Sequence, residues 1–425
     1  APSPRLSLSS HPPPSADMTA IALLLACVLL APAVLSAPVT VVHQWNTVEF
    51  EFESAQQREH ALSSGAWKPK NCAIAGVKLC GPALNCTTDR LFVTVPRWLT
   101  GVWATLNEVV VNADGASVLR PWPSLSAQSP DDCSKIQYVQ SMEIDPSGVM
   151  WVLDVGRKYF AEPNPFSKDN SCPPKMVWID IESGAVLDVY IFPDDVAPYA
   201  GSQLNDLVLD VANQVAYITD TAPPLLNSDK GGLIVFDHKQ RASRRFEHAS
   251  THAQDPAYHP RIHGWGWPWN RLLSGSPVDG IALHPRGDRL FYTTNGGTNL
   301  YSLPARLLAD FSVPLADVAR QVQLHGAKPS NTDGMAFGSD GTLFFGGMET
   351  DTVYALTAPY NAASATPLAT DHQALWWADT MAFDNKGYLW VTSNRIESFL
   401  FPPYRMSMKG WFSGKNGPNF HICKI

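Results

Sequence analysis

The chain has 425 residues, 45% of them hydrophobic, with 39 acidic against 31 basic side chains and a formal net charge of −8. Basic clusters are absent apart from the short RASRR at Arg241–Arg245, which argues against nucleic acid as a partner. The apolar share is ample for a buried core, and mild acidity suits small cationic ligands.

Ala1–Asp17 is rich in Pro and Ser, lacks apolar periodicity, and reads as upstream, non-native sequence. Met18 opens the apolar run TAIALLLACVLLAPAVLS, which ends near Ala37. Pro32 and the small residues Ser36 and Ala37 favour a cleaved secretory signal peptide over a membrane anchor. Residues 18–37 are therefore expected to be removed. Residues 38–425 are expected to form one secreted, extracellular domain with a C-terminal tail from about residue 400. No other stretch is apolar enough to span a membrane.

Once Cys27 leaves with the signal, Cys72, Cys80, Cys86, Cys133, Cys172 and Cys423 remain. An even number of cysteines in an oxidising compartment predicts disulfides without settling the pairing. The sequon Asn85-Cys86-Thr87 makes Asn85 a glycosylation candidate. Ser54–Gly65 (SAQQREHALSSG) is the best helical stretch, and Ala305–Ala319 is read as one or two further turns.

From residue 140 onward one phrase returns: an apolar strand, a polar turn, and a second apolar strand. Its copies are Gln140–Asp154, Asp206–Asp220, Asp279–Thr294, Asp333–Gly347 and Asp379–Ser393. A degenerate copy precedes them at Cys72–Leu79 and Arg90–Val95. Further strand-like runs lie between copies, at Met176–Ile181, Leu187–Phe192, Gly232–Asp237, Leu300–Leu303 and Thr352–Leu356. This pattern predicts an all-β fold, a six-bladed β-propeller with four-stranded antiparallel blades around a central channel. Three segments are left as insertions: Pro96–Gln137, Arg157–Pro174 and Phe246–Ser276. The last contains HGWGWPWN at His263–Asn270, read as a hydrophobic plug or a pocket wall.

Aligning the copies on their turn residues Gly148, Gln214, Gly287, Gly341 and Gly387 places Gln140, Asp206, Asp279, Asp333 and Asp379 at one common position. Asn205, Asn331 and Thr332 lie beside them. The inner strand of a propeller blade lines the channel, so these side chains are expected at its mouth. Converging carboxylates repel one another unless they share a cation or hydrogen-bond donors. The pattern therefore suits an organic ammonium, or Ca²⁺ as the alternative metal. An inner-strand Asp that caps a turn or ties adjacent blades together is the competing structural reading. Trp377, just ahead of Asp379, could add an aromatic face to a cation site. G-x-S-x-G, H-E-x-x-H and P-loop motifs are absent.

Several phrases give the chain a family resemblance. They are VPRWLTGVWATLN at Val95–Asn107, MWVLDVGR at Met150–Arg157, CPPKMVWIDIESG at Cys172–Gly184, GGLIVFD at Gly231–Asp237, PVDGIALHP at Pro277–Pro285 and LWVTSNR at Leu389–Arg395. Together they resemble the yellow/major royal jelly proteins from about Trp45 to Arg395. The resemblance implies a secreted six-bladed propeller and a Cys133–Cys172 disulfide. It also implies roles in pigmentation, as dopachrome-converting proteins, or in binding biogenic amines. Two departures stand out: Val353-Tyr354-Ala355 replaces the family's Cys-Trp-Asn phrase, and CGPALNC at Cys80–Cys86 is atypical. The second suggests a local Cys80–Cys86 bridge, which leaves Cys72 and Cys423 to clasp the ring's two ends.

The expected function is that of a yellow-like protein of the melanin or catecholamine pathway. It would bind a small aromatic amine, indole or catechol through Asp206, Asp279, Thr332, Asp333, Trp377, Asp379 and Asn394. Asp279 or Asp333 would take the proton if dopachrome is converted. No cofactor, nucleic acid or membrane partner is expected on this reading. The alternatives are a non-catalytic amine binder and a metal-dependent lactonase or esterase with calcium on the axis, since lactonase-like propellers carry similar blades.

Overall fold

The computed structural model describes residues 36–158, 171–199, 201–222, 230–253, 258, 260–262, 276–396 and 417–425. The upstream segment, nearly all of the expected signal peptide and the HGWGWPWN motif lie outside the described residues.

The first strand, β1 (Thr40–Trp45), does not start the first blade. That blade is β2 (Val77–Cys80), β3 (Arg90–Thr94), β4 (Leu106–Val111) and β5 (Ser117–Pro121). The second is β6 (Val139–Ile144), β7 (Val149–Asp154), β8 (Lys175–Asp180) and β9 (Val186–Ile191). The third is β10 (Leu204–Asp210), β11 (Val215–Asp220), β12 (Gly232–Asp237) and β13 (Ala242–Phe246). The fourth is β14 (Val278–Leu283), β15 (Arg289–Thr294), β16 (Asn299–Pro304) and β17 (Gln323–Ala327). The fifth is β18 (Met335–Phe337), β19 (Leu343–Gly347), β20 (Thr352–Leu356) and β21 (Thr366–Thr370). The sixth runs β22 (Trp377–Phe383), β23 (Leu389–Asn394), β24 (Phe420–Lys424) and then β1. All pairings within blades are antiparallel, which makes the protein a six-bladed propeller.

The last blade corrects the expectation of a C-terminal tail. Phe420–Lys424 pairs with β23 on one side and with β1 on the other, in the register Thr40↔Lys424 to Trp45↔Phe420. Two strands far apart in sequence thus complete the sixth blade and close the ring. The first insertion is corrected as well, because Pro96–Gln137 contains β4 and β5, the outer half of blade one.

The turns explain why the repeat is legible. Gly148, Gly287, Gly341 and Gly387 all have φ between 66° and 85°, a left-handed conformation that favours glycine. Gln214 adopts the same conformation at φ 59°. Alternate residues of each strand pack between blades. Phe92, Val139, Met142 and Val152 fill the gap between the first two, and Phe291, Leu300, Met335 and Phe345 that between the fourth and fifth. Helices are few. The longest, α1 (Ala55–Ser64), is capped by the Ser54 side chain and ends at Gly65 with φ 75°, close to the predicted span. The Ala305–Ala319 stretch forms two short helices, Ala305–Ala309 and Leu315–Ala319. Among the described residues no helix is long and apolar enough to cross a membrane.

Cys80 pairs with Cys86 and Cys133 with Cys172. Cys72 and Cys423 are both buried free thiols, so the expected clasp between them does not form. Cys72 packs in the cluster that holds Trp67 and Trp98, whereas Cys423 packs with Val353 and Ala369. Burial pushes each thiol up to about 12. The clasp is made by β-strand pairing instead.

Candidate functional site

Four of the six inner strands begin with an irregularity. The pairing of β6, β10, β14 and β22 with the next strand slips at Val139/Ser141, Leu204/Leu207, Val278/Ile281 and Ala378/Met381. Such a bulge sets two residues against one and re-aims a side chain. The carboxylates of Asp279 and Asp379 are presented in this way, and Asp333 stands at the same level just before β18.

The register corrects the alignment of the third copy. Leu204↔Asp220 and Leu207↔Ile218 match Val278↔Thr294 and Ile281↔Tyr292, so Asn205, not Asp206, is the counterpart of Asp279. The left-handed residue Gln214 falls one place later in its turn than Gly287 does, and counting back from it reaches the neighbour. By the same pairing logic the uppermost ring consists of Ala75, Gln140, Asn205, Asp279, Asp333 and Asp379, in blade order. Its acids all lie on blades four to six. Asp206 sits one residue deeper, level with Gly280 and Gly334.

Those two glycines explain the Asp-Gly dipeptides. A Cβ on Gly280 would lie 2.1 Å from the Asp333 carbonyl oxygen, and one on Gly334 would lie 1.9 Å from that of Asp379. Bare backbone lets successive blades close up around the axis, so the glycine serves interblade approach rather than a capped turn.

The acids are held by neutral donors and by one another. Asn205 Nδ2 donates to Asp279 Oδ1, and Asn295 Nδ2 donates to Asp279 Oδ2 at 3.2 Å. Asp279 and Asp333 share a hydrogen bond, and Trp377 Nε1 donates to Asp333 Oδ2 at 2.6 Å. Asn394 Nδ2 donates to Asp379 Oδ2 at 2.7 Å and to the Ile74 carbonyl at 3.1 Å, linking blade six to blade one. Thr380 Oγ1 donates to Asp379 Oδ1 at 3.0 Å. Burial, followed by repulsion from Asp279 and Asp379, holds the Asp333 carboxyl well above the usual carboxylate range. Burial also pushes Asp279 up to about 6 and Asp379 up to about 7. Near neutral pH the three carboxyls therefore share protons.

Deeper in the channel Asp206 accepts at Oδ1 from Ser141 Oγ (2.8 Å) and from the Leu207 N–H (2.9 Å). Three residues beyond the uppermost ring the channel-facing positions are Lys78, Glu143, Val208, Ala282, Ala336 and Ala382. Lys78 Nζ bonds Glu143 Oε1 at 2.5 Å.

The structure thus gathers Asp279, Asp333, Asp379, Trp377 and Asn394, with Asp206 below them. Thr332 is buried beside Asp333, and its hydroxyl has no hydrogen-bond partner among the described residues. Gln140 is turned to the wall, where its Oε1 accepts from Tyr138 Oη (2.8 Å) and Trp98 Nε1 (3.3 Å). Asn295, Ser141, Lys78 and Glu143 were not singled out from the sequence. The last two carried a signal, since they stand in VKL and MEI where the copies of blades four to six have Ala.

A family model described as major royal jelly protein matches residues 137–406. The chain belongs to the major royal jelly protein family. Among curated relatives of this family member, protein yellow of Drosophila subobscura is 26% identical over 390 residues, covering 89% of this chain and 65% of that protein. Protein yellow of Drosophila erecta is 26% identical over 371 residues, covering 84% and 65%. The chain thus spans about two thirds of the length of these relatives. Among solved structures, a luciferin-regenerating enzyme superposes with a TM-score of 0.49 at 10% identity, covering 91% of this chain and 94% of that one. Regucalcin from Agrobacterium tumefaciens, a calcium-binding protein, gives 0.49 at 12% identity, covering 83% and 89%. Identity this low leaves the chemistry open. The family phrase MWVLDVGR is now seen as β7 and its exit, where Asp154 accepts from the backbone N–H groups of Gln137 (2.8 Å), Tyr138 (3.0 Å) and Gly156 (3.1 Å).

Proposed function

We propose that this yellow-like protein is secreted and binds a small aromatic amine at the acidic half of the channel, in melanin or catecholamine chemistry. One observation carries the reading. Among the described residues Asp279, Asp333 and Asp379 converge on the axis with only amides, a hydroxyl, an indole and each other as side-chain hydrogen-bond partners. An ammonium group placed there would supply the missing positive charge, and the Trp377 ring adds apolar and cation–π contact. Two disulfides suit an extracellular setting. Among the described residues no three His, Cys, Asp or Glu side chains are grouped as a metal ion would need.

Conversion of dopachrome is the second reading, favoured by carboxyls that titrate near neutrality. A tautomerisation removes a proton from one ring position and returns one at another, without oxidant or metal. Asp279 or Asp379 could take the proton, and Asp333, whose carboxyl is held well above the usual range by burial, could supply one.

Titration calorimetry with dopamine and serotonin, alongside loss of dopachrome absorbance with and without chelator, tests both readings. Amine binding should strengthen from pH 5 to pH 8 as Asp279 and Asp379 ionise. Chelator-insensitive dopachrome loss adds catalysis, and binding alone makes the protein an amine carrier. Absence of both, or lactone hydrolysis abolished by chelator, rejects the proposal.

A further inference from the structure

The inner strands run from the acidic ring towards the turns, and at that far end lies a separate cavity of about 550 Å³. Asp206 lines it nearest the ring, and one level further on Lys78 and Glu143 stand on one side and Ala282, Ala336 and Ala382 on the other, with Phe337 next in the chain. Asp279, Asp333 and Asp379 do not line it.

The floor is polar and incompletely satisfied. Among the described residues Lys78 Nζ has one hydrogen-bond partner, Glu143 Oε1, which leaves two N–H donors. Among the described residues Asp206 accepts only at Oδ1, which leaves Oδ2 over, and Asp206 keeps partial exposure. Donors and carboxylate acceptors therefore stand side by side across from the alanines, in a cavity whose lining also includes Asp210, Asn213, His284, Arg286 and Arg306. A group bearing only one charge would leave half of this floor without a partner, which is costly in a confined site.

We propose that this cavity is a second ligand site, for a zwitterionic α-amino acid with an apolar side chain. The carboxylate of the ligand meets Lys78, its ammonium meets Glu143 and Asp206, and its side chain lies between the alanine walls. The three alanines leave the width that a ring or branched chain needs. This site stands independently of the amine reading of the upper ring.

The test is calorimetry on the full-length protein with L-phenylalanine, phenethylamine and 3-phenylpropionate. Phenylalanine should bind, and each analogue, lacking one charge, should bind at least about tenfold more weakly. Ala336→Leu and Ala382→Leu narrow the cavity and leave the charges in place. Whichever keeps the wild-type unfolding midpoint should lose affinity for phenylalanine by about tenfold or more. Asp333→Asn, in the upper ring, should leave it within about twofold. No binding at millimolar phenylalanine overturns the proposal. Equal binding of phenethylamine, unchanged binding in both leucine variants, or loss of binding in Asp333→Asn overturns it too.

Discussion

The two halves of the ring occupy the same backbone positions and differ in charge. At the upper level blades one to three contribute Ala75, Gln140 and Asn205, and blades four to six contribute Asp279, Asp333 and Asp379. Three residues deeper the pattern inverts: Lys78 and Glu143 come from blades one and two, and Ala282, Ala336 and Ala382 from blades four to six. The propeller supplies near-symmetric slots, and side chains break that symmetry into an acidic pole above and a mixed-charge floor below. Function in such a fold resides in which slots are filled, not in the blades themselves.

The strongest way to break the comparison is to remove the close approach that brings the acids together. Gly334→Ala places a Cβ 1.9 Å from the Asp379 carbonyl and should cost about 3 kcal/mol or more by denaturant unfolding. Gly387→Ala meets nothing within 4 Å and is strained only by φ 84°, so about 1 kcal/mol is expected. Equal costs would remove the argument for interblade packing at Gly334.

The acidic half should next reveal itself through pH. Folding raises the carboxyls of Asp279 to about 6 and Asp379 to about 7, so the native state binds more protons than the unfolded chain. Their contribution to stability is present below the ordinary carboxylate range and is lost as pH rises through 6 to 7. Asp379→Asn should therefore raise the unfolding midpoint relative to wild type at pH 8, and the advantage should vanish near pH 4. A midpoint difference independent of pH would refute the assignment.

Ligand affinity gives the third contrast. Asp279→Asn and Trp377→Phe should each weaken dopamine binding by about tenfold at pH 7.5, read by calorimetry. The smallest effect belongs to the neutral half. Gln140→Glu keeps an acceptor for Tyr138 and Trp98 and adds an acid to the ring, so dopamine should bind about threefold more tightly at pH 8. A weakening there would mean that the neutral half takes part in binding through its amide.

Much of this was readable from the chain. The return of an apolar strand, a turn with a left-handed residue and a second apolar strand marks β6–β7, β14–β15, β18–β19 and β22–β23, because glycine in those turns has a local cause. Asp279, Asp333, Asp379, Trp377 and Asn394 were visible as polar residues at strand starts and ends. Asp206 was placed one residue wrongly, because a turn in which Gln214 rather than an earlier residue is left-handed has the same composition but a different count.

The sequence by itself determined the blade as a unit, since strand alternation and turn chemistry act between near neighbours. It also determined that acids begin several inner strands. Only the tertiary structure decided that β24 and β1 close the sixth blade, that Cys72 and Cys423 stay apart, and that Lys78 meets Glu143 above an alanine-lined cavity. These relations join residues far apart in the sequence. Ring closure sets the distance between them, and no local period in the chain records it.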